Sequence, residues 1–95
     1  MSPKNEKPNG TDLIPGKLAV KIIDVENGLT VVNNVISIRV RDKEYVLLIM
    51  EDYSATIGEV SGEVAILTTD DEIKLEGIKG FYRLRNNEMT LIIHK

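Results

Sequence analysis

The chain has 95 residues, no cysteine, no tryptophan, one histidine and a formal charge of −3. That length supports one domain with one modest core, and the missing cysteines exclude disulfide frameworks and thiolate metal sites. Net acidity argues against a general nucleic-acid binder, and His94, next to last, leaves no Ser-His-Asp arrangement or multi-histidine metal site to build.

Residues 1–16 hold all three prolines among Asn, Lys, Ser and Gly, with Leu13 and Ile14 the only aliphatics. Such a segment buries too little apolar surface to offset its ordering entropy, so a disordered tail is expected over 1–16 and a single domain over 17–95. In the chain as a whole, 12 Ile, 9 Val and 9 Leu stand against four aromatics. An aliphatic, largely β-branched core favours strands over helices. Leu18, Val20 and Ile22 alternate with polar or small neighbours, the period of a half-buried strand. Asn27-Gly28 is a turn signal, because both residues tolerate positive φ. A return strand runs from Leu29 to Val32 and ends at Asn33-Asn34.

From Val35 to Arg41 the alternation predicts Ile36, Ile38 and Val40 on one face and Ser37, Arg39 and Arg41 on the other. Asp42-Lys43 turns the chain. Glu44 to Met50 is nearly continuous in its apolar run, which predicts burial on both faces; the run is too short to span a membrane. Glu51 to Ser54 breaks the pattern. Ala55 to Val60 reads either as a short strand or as an irregular crossing. Ser61-Gly62 reads as a turn. Strands follow at Glu63–Thr68, Glu72–Gly77, Ile78–Arg85 and Met89–His94, with Gly80 marking a bulge or a close backbone approach. Arg85-Asn86-Asn87-Glu88 is a hairpin turn. About eight to ten short strands with tight turns predict an all-β fold, a small antiparallel sandwich or flattened barrel.

Three constellations are candidates for chemistry or binding. The acidic clusters Glu51-Asp52 and Asp70-Asp71-Glu72 could hold a cation, but calcium-loop spacing is missing and solvated turns account for them. Lys79, Arg83 and Arg85 share a strand face with Phe81, an arrangement that stacks on single-stranded nucleic acid when more aromatics accompany it. Tyr45, Tyr53 and Tyr82 divide between core filling and interface anchoring. Tyr53 is the best interface candidate of the three, because it lies in the one break that is not a tight turn. No metal-binding, cofactor-binding or catalytic residue is assigned.

The order of segments resembles the N-terminal β-sandwich domain of the epsilon subunit of F-type ATP synthases. Leu18-Ala19-Val20-Lys21-Ile22-Ile23-Asp24-Val25-Glu26-Asn27-Gly28 is similar to that family's first strand and turn. Val35-Ile36-Ser37-Ile38-Arg39-Val40 with Lys43-Glu44-Tyr45-Val46-Leu47-Leu48 is similar to its next pattern. Gly62-Glu63-Val64-Ala65-Ile66, Ile78-Lys79-Gly80-Phe81-Tyr82-Arg83-Leu84 and Asn87-Glu88-Met89-Thr90-Leu91-Ile92 resemble its closing strands. Where the family has a rotor-facing "PGHAPL" loop, this chain has Ile49-Met50-Glu51-Asp52-Tyr53-Ser54, without the Pro, Gly and His. The family's Pro-Glu-Gly turn is here Val25-Glu26-Asn27-Gly28. The family normally continues into a helical hairpin that restrains ATP hydrolysis, so the resemblance implies the stalk-bridging role rather than that regulation.

What the resemblance implies is a non-catalytic rotor-stalk subunit. Its partners would be the gamma subunit and the c-ring, and it would be cytoplasmic and peripheral to the inner membrane. Met50, Glu51, Asp52, Tyr53 and Ser54 form the expected protein interface, with no cofactor, no nucleic acid and no membrane insertion. The alternative is a stand-alone β-sandwich adaptor or assembly protein, because architecture does not dictate role.

Overall fold

The computed structural model describes residues 16–94; the expected tail, apart from Gly16, lies outside them. The described chain is all-β. Six strands run β1 (Leu18–Asp24), β2 (Gly28–Arg41), β3 (Val46–Ile49), β4 (Thr56–Thr68), β5 (Glu72–Arg85) and β6 (Glu88–His94). The sheet order is β1-β6-β5-β4-β2-β3, and β1 also pairs with β2, which closes a small barrel. Neighbours are antiparallel except β1 and β6, which run parallel with Ile22 beside Leu91. Among the described residues no helix is long and apolar enough to cross a membrane.

Three strands are long because each bends instead of ending. β2 takes in both Leu29–Val32 and Val35–Arg41, β4 spans the expected turn at Ser61-Gly62, and β5 joins the two segments that meet at Gly77-Ile78. Counted by straight segments, the expected short strands are there; the chain simply does not leave the sheet between them. The bends are bulges. Gly62 pairs with Ile78 and Glu63 with Glu76, so Gly77 is the extra residue on β5, at φ 66. A glycine in the left-handed region is what such a bulge demands. A second shift lies between Val35 and Ser37, where β2 faces Thr68 and Leu67.

That second bulge corrects one reading. Val35, Ile38 and Val40 are buried, whereas Ile36 is exposed, because the extra residue reverses the inward–outward parity. β3 corrects another. Its apolar run is not buried on both faces: Ile49 is buried, but Val46 and Leu48 are exposed. β3 bonds only to β2, so one of its edges and its outer face meet solvent. Ala55–Val60 resolves as strand from Thr56 onward.

Each half of the flattened barrel supplies one wall of a single core. Val20, Tyr82, Leu84, Met89 and Leu91 come from one half; Ile38, Val40, Ile49, Val64 and Ile66 come from the other. Burying each of these aliphatics is worth roughly 1.5–3 kcal/mol, so the two walls hold each other. Gly80 lets β5 and β6 lie close: a Cβ there would sit 1.9 Å from the carbonyl oxygen of Ile92. The expected close approach is therefore present.

Tyr82 is the aromatic of the core, 4% exposed. Burial, followed by the charge of Tyr45, a hydrogen bond with Tyr45 and the charge of Tyr53, pushes its pKa from 10.0 up to about 12. Tyr45 in turn donates its hydroxyl to the Glu59 carbonyl at 2.9 Å. The neutral phenol is thus the form the fold prefers.

Two outcomes follow from this packing. Gly80→Ala should cost roughly 3 kcal/mol or more, because backbone must move, whereas Gly77→Ala, with open space around its Cβ, should cost only about 1–2 kcal/mol for its positive φ. Equal urea midpoints for the two variants would contradict the close-approach account. For Tyr82, the folded pKa exceeds the unfolded one, so its contribution is intact below pH 10 and drains away as pH rises toward 12. Urea melts from pH 9 to 12 should show this loss in the native chain and a smaller one in Tyr82→Phe; identical slopes would count against it.

Candidate functional site

Met50 to Ser54 connect β3 to β4 at one end of the barrel, and all five residues are exposed. A turn starts at Met50, whose carbonyl accepts the Tyr53 amide at 3.2 Å. Asp52 takes φ 64 at its tip, a conformation that Asp tolerates better than most residues. The β5–β6 hairpin comes to the same end. Asn86 and Asn87, at φ 52 and 64, form the two-residue turn between the paired Arg85 and Glu88, and positive φ at both centres marks the turn that matches strand twist.

The two loops are tied reciprocally. The Asp52 amide donates to Asn87 Oδ1 at 2.7 Å, and Asn87 Nδ2 donates back to Asp52 Oδ1 at 3.2 Å. The Asn87 carbonyl also accepts the Ala19 amide at 3.0 Å, at the start of β1. Lys17 Nζ lies 3.7 Å from Glu51 Oε2, a solvent-exposed pair of small energetic weight. Sequence reading missed the Asp52–Asn87 tie. Its only sequence signal is the tolerance of Asp and Asn for positive φ, which marks turns but not which turns touch.

The loop exposes apolar and polar groups side by side. Met50 and Tyr53 present apolar area, and Glu51, Asp52 and Ser54 present polar groups beside it. Tyr53 is the last and smallest of the influences that raise the Tyr82 pKa, after burial and Tyr45. Of the three tyrosines, Tyr82 is core, while Tyr45 and Tyr53 are partly exposed.

The other constellations fall elsewhere. Thr68 Oγ1 accepts the amides of Asp70 and Asp71 at 3.1 and 3.0 Å, closing the β4–β5 turn around Asp70-Asp71. Glu72 lies 4.0 Å from Arg39. No group of three or more His, Cys, Asp or Glu among the described residues is placed to hold a metal. Lys79, Phe81, Arg83 and Arg85 do share an exposed face of β5, as their alternation implies.

No family model and no curated protein matches this sequence. Its fold is similar to that of a chain in the cryo-EM structure of the central stalk and c-ring of the Tetrahymena thermophila mitochondrial ATP synthase. The TM-score is 0.65 at 15% identity, over 85% of this chain and 66% of that one. At that identity the likeness is one of fold, and this chain spans about 66% of its neighbour's length. The architecture is thus one that a chain of that central stalk and c-ring structure also adopts.

Proposed function

We propose that the chain is a non-catalytic, epsilon-like subunit of the rotor stalk in an F-type ATP synthase or a divergent relative. The observation that carries this reading is the fold likeness to a chain of an ATP synthase central stalk and c-ring. Segment order supports it, since the epsilon-like stretches follow one another through β1, β2, β3, β4, β5 and β6. The partners on this reading are the gamma subunit and the c-ring, and the location is peripheral to the membrane.

A closed sheet suits a mechanical role. In the closed ring of β1, β6, β5, β4 and β2 each strand bonds to neighbours on both sides, so shear between neighbours must break several ladder bonds together. Met50 to Ser54 serve as the contact because the Asp52–Asn87 tie holds the loop in one shape. A pre-shaped loop loses less conformational entropy on docking.

One observation favours a second reading, a stand-alone adaptor of the same architecture. The loop is Met50-Glu51-Asp52-Tyr53-Ser54, without the Pro, Gly and His of the rotor-facing loop it resembles. A gene beside those of the alpha, beta and gamma subunits would decide for the stalk.

The direct test is co-purification of the full chain with the cognate gamma subunit. Stable association is expected, weakened at least tenfold by Met50→Ser combined with Tyr53→Ser. Absence of association would sink the stalk reading. Association indifferent to the loop variant would remove the loop from the contact.

A further inference from the structure

The register places one unbroken apolar row on the outside of the barrel. Phe81 pairs with Ile92, Ile92 with Ile23, and Ile23 with Leu29, so four residues line up across β5, β6, β1 and β2. At the usual strand spacing of about 4.8 Å the row spans roughly 14 Å. All four are exposed, Leu29 and Phe81 by 62% and 58%. The next row outward runs Ile57, Arg83, Thr90, Lys21 and Val31. Ile57, 76% exposed, and Val31, 54% exposed, extend the apolar area. Between the rows, Ile57, Phe81, Arg83, Thr90 and Ile92 line a hollow of about 360 Å³.

The charges around this surface are not balanced. Lys21, Lys79, Arg83 and Arg85 point outward on these strands, against Glu59 and Glu88. On the outward strand positions cations outnumber carboxylates by two, on a chain whose total is −3, while Asp24 and Glu26 sit at the β1–β2 turn, beyond the Ile23–Leu29 end of the row. The opposite outer face differs. There Arg39 lies near Glu72 and Arg41 near Glu63, and Lys74 stands between Glu72 and Glu76 on the exposed face of β5. That face is internally compensated; the first is not.

We propose that the Phe81–Ile92–Ile23–Leu29 face is a docking surface for an acidic amphipathic segment of a partner protein. The partner's apolar side covers the row, and its carboxylates meet Lys21, Arg83 and their neighbours. A contiguous exposed apolar patch with cations predominating in the adjacent rows, Lys21 and Arg83 on one side and Lys79 on the other, has the composition of an interface. The charge excess also selects among occupants. Two copies of this face would bring cation against cation, which disfavours a homodimer here. Single-stranded nucleic acid would match the charge, but it stacks on aromatics, and the row has one aromatic and three aliphatics. The proposal stands whether or not the chain is a stalk subunit.

A synthetic three-heptad helix with a leucine stripe flanked by glutamates is the probe, and the same helix with lysines for glutamates is its control. With the full chain, the acidic helix should bind with a dissociation constant in the micromolar range. Binding should weaken at least tenfold between 50 and 500 mM salt. Amide shifts should centre on Ile23, Phe81, Arg83 and Ile92. The basic helix should bind at least tenfold more weakly. Phe81→Thr with Ile23→Thr keeps strand propensity and should reduce affinity at least tenfold. Lys21→Gln with Arg83→Gln should remove most of the salt dependence, which supplies a second reading should the first variant fold poorly. Val46→Thr with Leu48→Thr on β3 should change nothing. The proposal is overturned by failure of the acidic helix to bind, by equal binding of the basic helix, or by shifts elsewhere. Tighter binding of an oligo-dT probe to the same residues, or self-association through them, also overturns it and names the other occupant.

Discussion

The structure depends on bulges placed within strands. β4 and β5 pair along almost their whole lengths, yet each must serve two walls that face one another. A straight ribbon of that length would leave half of its inward residues exposed. The bulge at Gly77 and the register shift beside Gly62 let the ribbon fold over itself while keeping its ladder. The bulge between Val35 and Ser37 does the same for β2. Once these three strands bend, β1 and β6 complete the closure, and Tyr82 and Leu84 come to share one core with Val64 and Ile66.

Bending also determines which side chains are left for function. Inward positions are committed to the core, where aliphatic volume is required at nearly every site. Outward positions carry no such constraint, and the two outer faces have diverged. One is tied by pairs such as Arg41–Glu63 at 3.9 Å. The other exposes Phe81, Ile92, Ile23 and Leu29 beside Lys21, Lys79 and Arg83. At one end of the barrel, the Asp52–Asn87 exchange joins two loops that the chain separates by 35 residues. A shaped loop and an unbalanced face are therefore separate features, the first held by hydrogen bonds and the second by strand register.

Legibility varied with the range of the interaction responsible. Leu18, Val20 and Ile22 are buried as their alternation requires, because period-2 patterning is local. The Asn86-Asn87 turn and the close approach at Gly80 were likewise visible, since each uses a residue with a distinctive backbone range. Ile36 departs from its expected face because it is the extra residue of the bulge, between Val35 and Ser37, and nothing at Ile36 itself reports that. Ser61-Gly62 looked like a turn because glycine serves turns and bulges alike; only the partner strand distinguishes them. Val46 and Leu48 looked buried because apolar identity does not say that β3 lies at an edge. In the candidate site, the loop at Met50 to Ser54 stood out as a break in pattern, while its tie to Asn87 did not.

The sequence by itself determined an all-β chain with an aliphatic core, turn positions at Asn27-Gly28 and Asn86-Asn87, and a family-like order of segments. These rest on composition, on period and on residues with special φ, all of which act over a few positions. Tertiary structure alone decided that the segments join into six strands, that β1 lies parallel to β6, and that four exposed apolar residues from four strands make one row. Register is the physical reason. Which residue stands beside which across a sheet depends on bulges and on closure of the whole barrel, and neither is a property of any single segment.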